Sequence, residues 1–347
     1  VNYRTVDMTR VTRVARLIDL IVRRQLTVEQ AVDEVEKIVE SPHPHSSRVA
    51  VLGWAMLGCA VVVQHGGTPL AGLVSMVSTF ALMYANRYLD GKRLPTFFQQ
   101  VVGGFIATAW ALIAFVLLAD VFIEIRPSQL VAAGIIVLLA GLTLVGSIED
   151  AITGFPVTSA GRGVETMILT GGVLGGITIA LALFGRLGLS PPPIDPAIHG
   201  NAPVHVAILA AAVGAAGFAV ASYATVRATL LAAAVGALGM TIYQLVVGLE
   251  FDVVVGSGLA ACAMGLVGGI FARIATVPPL VVTIAGITPF LPGLSVYRGL
   301  SALTSDQTGI GPGLMFTALA IALSLAAGIV FGEWVARNLR RTAAADQ

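Results

Sequence analysis

Long apolar runs follow one another through this chain from residue 49 onward. A helix needs about 20 mainly apolar residues to cross a bilayer. Ten stretches approach that length, near 49–64, 69–86, 99–119, 129–148, 164–185, 203–223, 227–247, 252–273, 277–297 and 312–336. Soluble domains carry about a quarter charged residues; here 11% are charged and 56% are hydrophobic, with a mean hydropathy of +0.90. That composition excludes a soluble globular enzyme, a nucleic-acid binder and a disordered chain. The net charge of +1 argues for no acidic partner. Cys59 and Cys262 lie inside apolar runs and do not read as a disulfide framework. The expected fold class is an all-α polytopic membrane protein.

Residues 1–48 differ from the rest. They hold 8 of the 20 basic and 7 of the 19 acidic residues. Val11, Val14, Leu17, Ile18 and Ile21 recur at helical spacing among Arg10, Arg13, Arg16, Arg23 and Arg24. Thr27 with Gln30 reads as a capping box opening a second, acidic helix through Val32, Val35 and Ile38. A hairpin with its apolar faces packed together follows, read as a stabilising preface, with a membrane-surface or regulatory role as the alternative. No apolar stretch precedes Val49, so no signal peptide is expected. The chain opens on Val, so a longer natural N-terminus is expected.

Orientation follows from basic residues in the loops. With the N-terminus in the cytoplasm, 17 of the 20 basic residues lie inside and only Arg126, Arg186 and Arg298 lie outside. Both termini are then cytoplasmic, and the Pro-rich loop at 190–202 is extracellular. The expected domains are a cytoplasmic preface (1–48), a first five-helix part (49–189), the linker (190–202) and a second five-helix part with a short tail (203–347).

Five spans per part is an odd number, so two homologous parts insert in opposite senses, the inverted-repeat plan of many secondary transporters. Ala140-Gly141-Leu142-Thr143 matches Ala285-Gly286-Ile287-Thr288, and Val102–Ala109 matches Val255–Cys262. Each tetrad precedes an expected helix break, at Val145-Gly146-Ser147 and at Pro289–Gly293. Pro292 lacks a backbone donor, and Gly293 relaxes the chain. Irregular backbone at membrane depth is tolerated where protein or a cavity satisfies it. The breaks are therefore read as gates, with simple proline kinks as the alternative.

Ionisable groups in spans are costly and usually functional. Glu149, Asp150, Arg162 and Glu165 cluster in GSIEDAITGFPVTSAGRGVE (146–165), expected as a loop folded back toward a cavity. Glu149, Asp150 and Glu165 are the proton-coupling candidates. Arg162 either binds a substrate carboxylate or pairs with Glu165 or Asp150. Tyr297 and Arg298 follow the second break, and Gln244 lies in the seventh span. Thr143 and Thr288 are hydroxyl-reading candidates, and Gly146, Pro292 and Gly293 are gating ones. His65 reads as an exposed loop residue. His43-Pro44-His45 lacks further ligands, so no metal is expected. Trp54, Trp110 and Trp334 read as packing or interfacial residues. No phosphate-binding or zinc motif occurs, and no cofactor is expected.

Three segments carry a family resemblance: ARLIDLIVRRQLTVEQAVDEVEKI (15–38), SIEDAITGFPVTSAGRGVETMILTGGVLGGI (147–177) and ITPFLPGLSVYRGL (287–300). The chain resembles the bacterial threonine/serine exporter family over nearly its whole length. The resemblance implies a multi-pass carrier of the bacterial plasma membrane that exports threonine and serine using the proton-motive force. It also implies ten spans made of two five-span parts. The chain departs from the family in a shorter N-terminal part and in Val145-Gly146 standing where Pro-Gly is expected. Partners are then the amino acids, protons and the bilayer, with a homo-oligomer as an option. The other functions considered are a dicarboxylate carrier on the same fold, a membrane-embedded enzyme and a passive channel.

Overall fold

Helix punctuation sets the architecture. The computed structural model describes residues 7–118, 129–131, 133–134, 138, 140–188, 202–274, 277–304 and 309–345. Thirteen α-helices and no strand occur among them. They are α1 (Met8–Val22), α2 (Val28–Glu40), α3 (Ser47–Gln64), α4 (Pro69–Gly91), α5 (Thr96–Leu118), α6 (Ala140–Ile152), α7 (Pro156–Arg186), α8 (Val204–Ala221), α9 (Val226–Gly248), α10 (Val253–Ile274), α11 (Pro279–Ile287), α12 (Gly293–Thr304) and α13 (Gly311–Ala345). A 3₁₀ turn, Thr288–Phe290, follows α11 directly. Eight of the helices are long and apolar enough to cross a membrane: α3, α4, α5, α7, α8, α9, α10 and α13.

The fourth and ninth apolar stretches are not among the eight. The fourth lies partly outside the described residues; its tail is the 13-residue α6. The ninth is divided into α11, the 3₁₀ turn and α12, because Pro289 and Pro292 cannot donate to a continuing helix. The expected break at Val145-Gly146-Ser147 is absent: α6 runs through it without interruption. Glycine keeps its backbone donor and costs a helix only about 1 kcal/mol, whereas proline costs about 3. The Pro-rich linker, apart from residue 202, lies outside the described residues, as does Arg126.

Four turns between spanning helices close in one way. Gly66, Arg93, Tyr223 and Glu250 each take a left-handed backbone conformation, with φ between 56° and 79°. Around each, the same hydrogen bonds cap the preceding helix. Gly67 donates to Val62 and Gly66 to Val63; Ala224 donates to Ala219 and Tyr223 to Val220. Leu94 donates to Leu89 and Phe251 to Val246 in the other two. This is the Schellman arrangement. Thr68 and Thr225 then cap the next helices, accepting from the Ala71 and Ala228 amides. Gly66 and Arg93 lie 27 residues apart, as do Tyr223 and Glu250.

Packing recurs in the same way. α5 packs on α7, and α10 on α13. A Cβ at Gly172 or Gly176 of α7 would collide with the Phe97 or Val101 carbonyl of α5, and one at Gly104 with the Val173 carbonyl of α7. In α13, Gly328 and Gly332 meet the Gly258 and Cys262 carbonyls of α10, and Gly265 meets the Ile329 carbonyl. The spacing is identical in the two interfaces. Small residues at fourth positions let helix backbones touch in a membrane, where apolar burial offers no driving force. This register pairs Gly104 with Gly265, eight residues from the expected match of Gly104 with Ser257. Strings of Gly and Ala are too repetitive to fix a register by themselves.

The α1–α2 hairpin has its Thr27–Gln30 capping box. Its apolar faces close only in part: Leu17 and Ile38 are buried, whereas Val14, Ile18, Ile21, Val32, Val35 and Val39 stay exposed. Outside the membrane helices, the Asp33 hydrogen bond and charge, with Glu34 behind, hold the Lys37 ammonium above its usual value. The hairpin docks on the end of α8. The Met8 amide donates to Ser222 O (2.9 Å), the Thr9 hydroxyl donates to Tyr223 O, and His45 Nε2 contacts Val220 O at 2.8 Å. His43 and His45 both stack on Tyr223, and His43 Nδ1 lies 2.8 Å from Asp7. His43-Pro44-His45 is thus a docking element. Among the described residues no cluster fit for a metal occurs.

Candidate functional site

At the hairpin end of the bundle, α6 and α7 meet in a tight turn. The Thr153 amide donates to Glu149 O and the Phe155 amide to Asp150 O, and Gly154 takes φ +94°. Pro156 then opens α7. The expected folded-back loop is therefore a turn and a helix. Its apolar residues Ile152, Phe155 and Val157 face outward, because a helix started at Pro156 leaves too little chain to fold inward.

The turn brings two of the four charges of the cluster together. Arg162 Nη1 lies 2.9 Å from Asp150 Oδ2. The guanidinium is half-exposed and the carboxylate mostly covered. The Ser147 hydroxyl donates to the Ser159 carbonyl (2.8 Å), tying α6 to α7 below the pair. Gly146 faces Arg162: a Cβ there would stand 3.4 Å from Nη1. Glu165 and Thr143 are half-buried on α7 and α6.

A residue the sequence reading passed over belongs here too. α13 packs against α6, and its Glu333 side chain is mostly covered. The Glu149 carboxylate is repelled by Glu333 and Asp150 and attracted by Arg162. Arg337 stands 3.9 Å from Glu333 in the next turn of α13. The available signal was that Glu333 is the one ionisable residue in the apolar stretch 312–336.

The second candidate region lies at the divided ninth stretch, away from this cluster. Thr288, Pro289, Phe290, Leu291, Pro292 and Gly293 are all buried. Gln64 of α3 donates to the Pro289 carbonyl (2.8 Å), and Tyr243 of α9 meets the Phe290 ring edge-on. The Thr288 hydroxyl donates to Ile284 O at 2.9 Å, so its proton already serves its own helix. Gln244 sits half-buried on α9 beside Met240, at 3.8 Å. Tyr297 and Arg298 lie on α12. His65 is no exposed loop residue: its Nδ1 lies 2.8 Å from Val61 O, and its own carbonyl accepts from Gln129. Trp54 is core, edge-on to Phe218, and Trp110 donates to Val74 O (3.0 Å), whereas Trp334 stays exposed and stacked on Phe331.

A further buried polar group went unremarked in the sequence. Gln99, Gln100 and Thr108 of α5 are buried, and Gln99 Oε1, Gln100 Oε1 and Thr108 Oγ1 have no hydrogen-bond partner among the described residues. Gln99 donates to Leu94 O through Nε2.

The arrangement has a charged cluster at one end, a divided helix in the interior and no convergent catalytic set among the described residues. Residues 1–184 match the family model described as a putative threonine/serine exporter, and residues 207–335 match that described as Threonine/Serine exporter, ThrE. The chain belongs to the threonine/serine exporter family. It is 43% identical over 336 residues to the threonine/serine exporter of Corynebacterium glutamicum, covering 96% of this chain and 68% of that one. It is 33% identical over 353 residues to a probable threonine/serine exporter of Mycobacterium tuberculosis, covering 98% and 65%. The chain thus spans about two thirds of the length of these relatives. No solved structure matches it. Membership in this exporter family, with eight apolar helices of spanning length, makes the chain a multi-pass membrane transporter and not an enzyme.

Proposed function

We propose that this chain exports threonine and serine across a bacterial plasma membrane by proton antiport and alternating access. The observation that carries the reading is the 43% identity, over nearly the whole chain, to a relative named for that export. In this reading the fourth and ninth stretches complete ten spans, both termini are cytoplasmic, and two five-helix parts form an inverted repeat. The equal spacing of the left-handed turns and the common glycine register support the repeat.

The substrate is a zwitterion, and the Arg162–Asp150 pair suits it charge for charge. Its carboxylate takes the place of Asp150 on Arg162, and its ammonium takes the place of Arg162 on Asp150. No net charge is then desolvated when the pair opens, which avoids the penalty of a lone buried charge. A proton arriving at Asp150 or Glu149 removes the acceptor and releases the ammonium. Glu165 is close enough in sequence to serve the same exchange. At the other region, Gln64 on the Pro289 carbonyl closes the outer path, with Pro292, Gly293, Tyr297 and Arg298 behind it. Carboxylates outnumber arginines around Arg162, which disfavours a dicarboxylate substrate.

The test uses liposomes loaded with labelled threonine. Efflux is expected to rise with an inward proton gradient, and to lose that response in Asp150→Asn or Glu149→Gln. Efflux indifferent to the gradient, or normal response in both variants, refutes the reading.

A further inference from the structure

Two backbone carbonyls around the end of α3 are served by side chains from far along the chain. The first is that of Pro289, in the 3₁₀ turn. Its helical donor would be the Gly293 amide, which donates to Leu291 O instead (2.7 Å), and Pro292 has no amide to offer. Gln64 Nε2 of α3 donates to it at 2.8 Å. Gln64 Oε1 has no partner among the described residues, so this one hydrogen bond holds the amide in place. The second carbonyl is that of His65, where α3 ends; Pro69, four residues on, has no amide either. Gln129 Nε2 donates to it at 2.7 Å. Gln129 is buried, and a Cβ on Gly67 would stand 2.9 Å from its Oε1, so the amide lies directly over the α3–α4 turn.

Gln64 and His65 are neighbours, so the end of α3 is tied on one side to the ninth stretch and on the other to the start of the fourth. Both of these are seated closely on further helices. A Cβ on Gly214 of α8 would stand 3.3 Å from Pro289 Cγ, and one on Gly134 of the fourth stretch 2.6 Å from Ala107 Cβ of α5. In the orientation proposed above, the three ends all lie on the outer side.

We propose that Gln129 is a positioning residue of the outer gate: it fixes the His65 carbonyl, thereby sets Gln64 on the Pro289 carbonyl, and so makes the fourth stretch, the end of α3 and the ninth stretch open as one unit. Removing either amide leaves a carbonyl without its donor and takes one hydrogen bond from the closed form. The two ties act on adjacent residues of one turn. Releasing one lets the turn swing away from the other, so their effects do not add. This joint rests on the alternating-access reading for what opens, though not for its hydrogen bonds.

Access from outside is to be measured in de-energised bacterial cells expressing the full chain. Cys59 and Cys262 are replaced by alanine, and Thr288→Cys places one thiol in the break. A membrane-impermeant maleimide added outside is expected to label it slowly while Gln64 and Gln129 are intact. Gln64→Met and Gln129→Met keep the side-chain length and remove the donor. Each is expected to speed labelling about tenfold, the weight of one hydrogen bond. The double variant is expected to be no faster than the faster single one. Labelling unchanged by Gln129→Met overturns the proposal, as does a double variant whose gain is the product of the two single gains. No labelling in any of these chains overturns it too. A merely structural Gln129 would loosen the fold throughout. The thiol of Cys262, kept in a second chain without Thr288→Cys, would then also be labelled faster by Gln129→Met, and that result overturns it as well. Should Gln129→Met fail to fold, Gln129→Asn, one methylene short of the carbonyl, is read in its place. Efflux measured on the same variants separates the two readings. Faster labelling with efflux that ignores the proton gradient refutes proton antiport only, and gradient-driven efflux with labelling unchanged by Gln129→Met refutes the joint only.

Discussion

The helices before the Pro-rich linker and those after it share their joints and differ in their contents. Both close their turns on left-handed residues 27 apart, and both press glycines into carbonyls at the same spacing. In that register Gln99, Gln100 and Thr108 of α5 correspond to Ala260, Ala261 and Gly269 of α10. The first part holds buried amides and a hydroxyl where the second holds only small apolar residues. The second part instead carries the prolines that divide its ninth stretch, whereas α6 passes unbroken over Gly146. Packing geometry is therefore common to the two parts, and polar chemistry and helix breaks are placed on one side each.

The largest effects are expected where the parts agree. Gly176→Ala and Gly332→Ala each push a methyl into a backbone carbonyl that cannot rotate away. Each should lower stability by about 3 kcal/mol or more, read as loss of the monodisperse folded fraction on heating. A large loss in one and none in the other breaks the equivalence of the two interfaces.

An intermediate effect should appear where the parts differ. Gln100→Leu removes an acceptor that lacks a partner, so the fold should be unchanged or more stable by about 1 kcal/mol. Ala260→Gln places an amide in the apolar counterpart and should cost about 1–3 kcal/mol. Chemical denaturation in detergent distinguishes the two. Destabilisation by Gln100→Leu would mean that the amide is held by a contact and that the contrast is only compositional.

The smallest effects belong to the turns. Gly66→Ala forces a side chain into the left-handed region at a cost of about 1–2 kcal/mol, and Glu250→Gly should relieve about 1 kcal/mol. Thermal midpoints should move in opposite directions. Equal responses would separate turn geometry from the sequence that occupies it.

Much of this arrangement is legible in the sequence, for reasons that can be located. Apolar runs gave the spanning helices because bilayer thickness fixes their length. Pro289 and Pro292 announced the divided ninth stretch because proline removes a donor whatever surrounds it. Gly146 gave a false break, since glycine weakens a helix without interrupting it. Asp150 and Arg162 were named as a possible pair, and α6 and α7 bring them to 2.9 Å. Glu333 was missed because the helix its own helix packs on, α6, is far away in the chain, and spacing rules reach only neighbours on one helix. The amides of α5 were missed because Gln99 and Gln100 stand at the start of a span, where polar residues are ordinary; only packing reveals that they are buried.

The crossing of α3 and α8 has a mechanical meaning. Gly53 faces the Gly217 carbonyl and the Ala221 amide, and Gly217 faces the Gly53 carbonyl and the Leu57 amide. Two bare backbones bear on each other with no side chain between them. Such a bearing has almost no lever arm: turning one part against the other there disturbs few atoms, whereas sliding would drive Trp54 and Phe218, locked edge-on beside it, into their neighbours. In the alternating-access reading proposed above, this crossing is the place where one part can rock on the other while sliding is resisted.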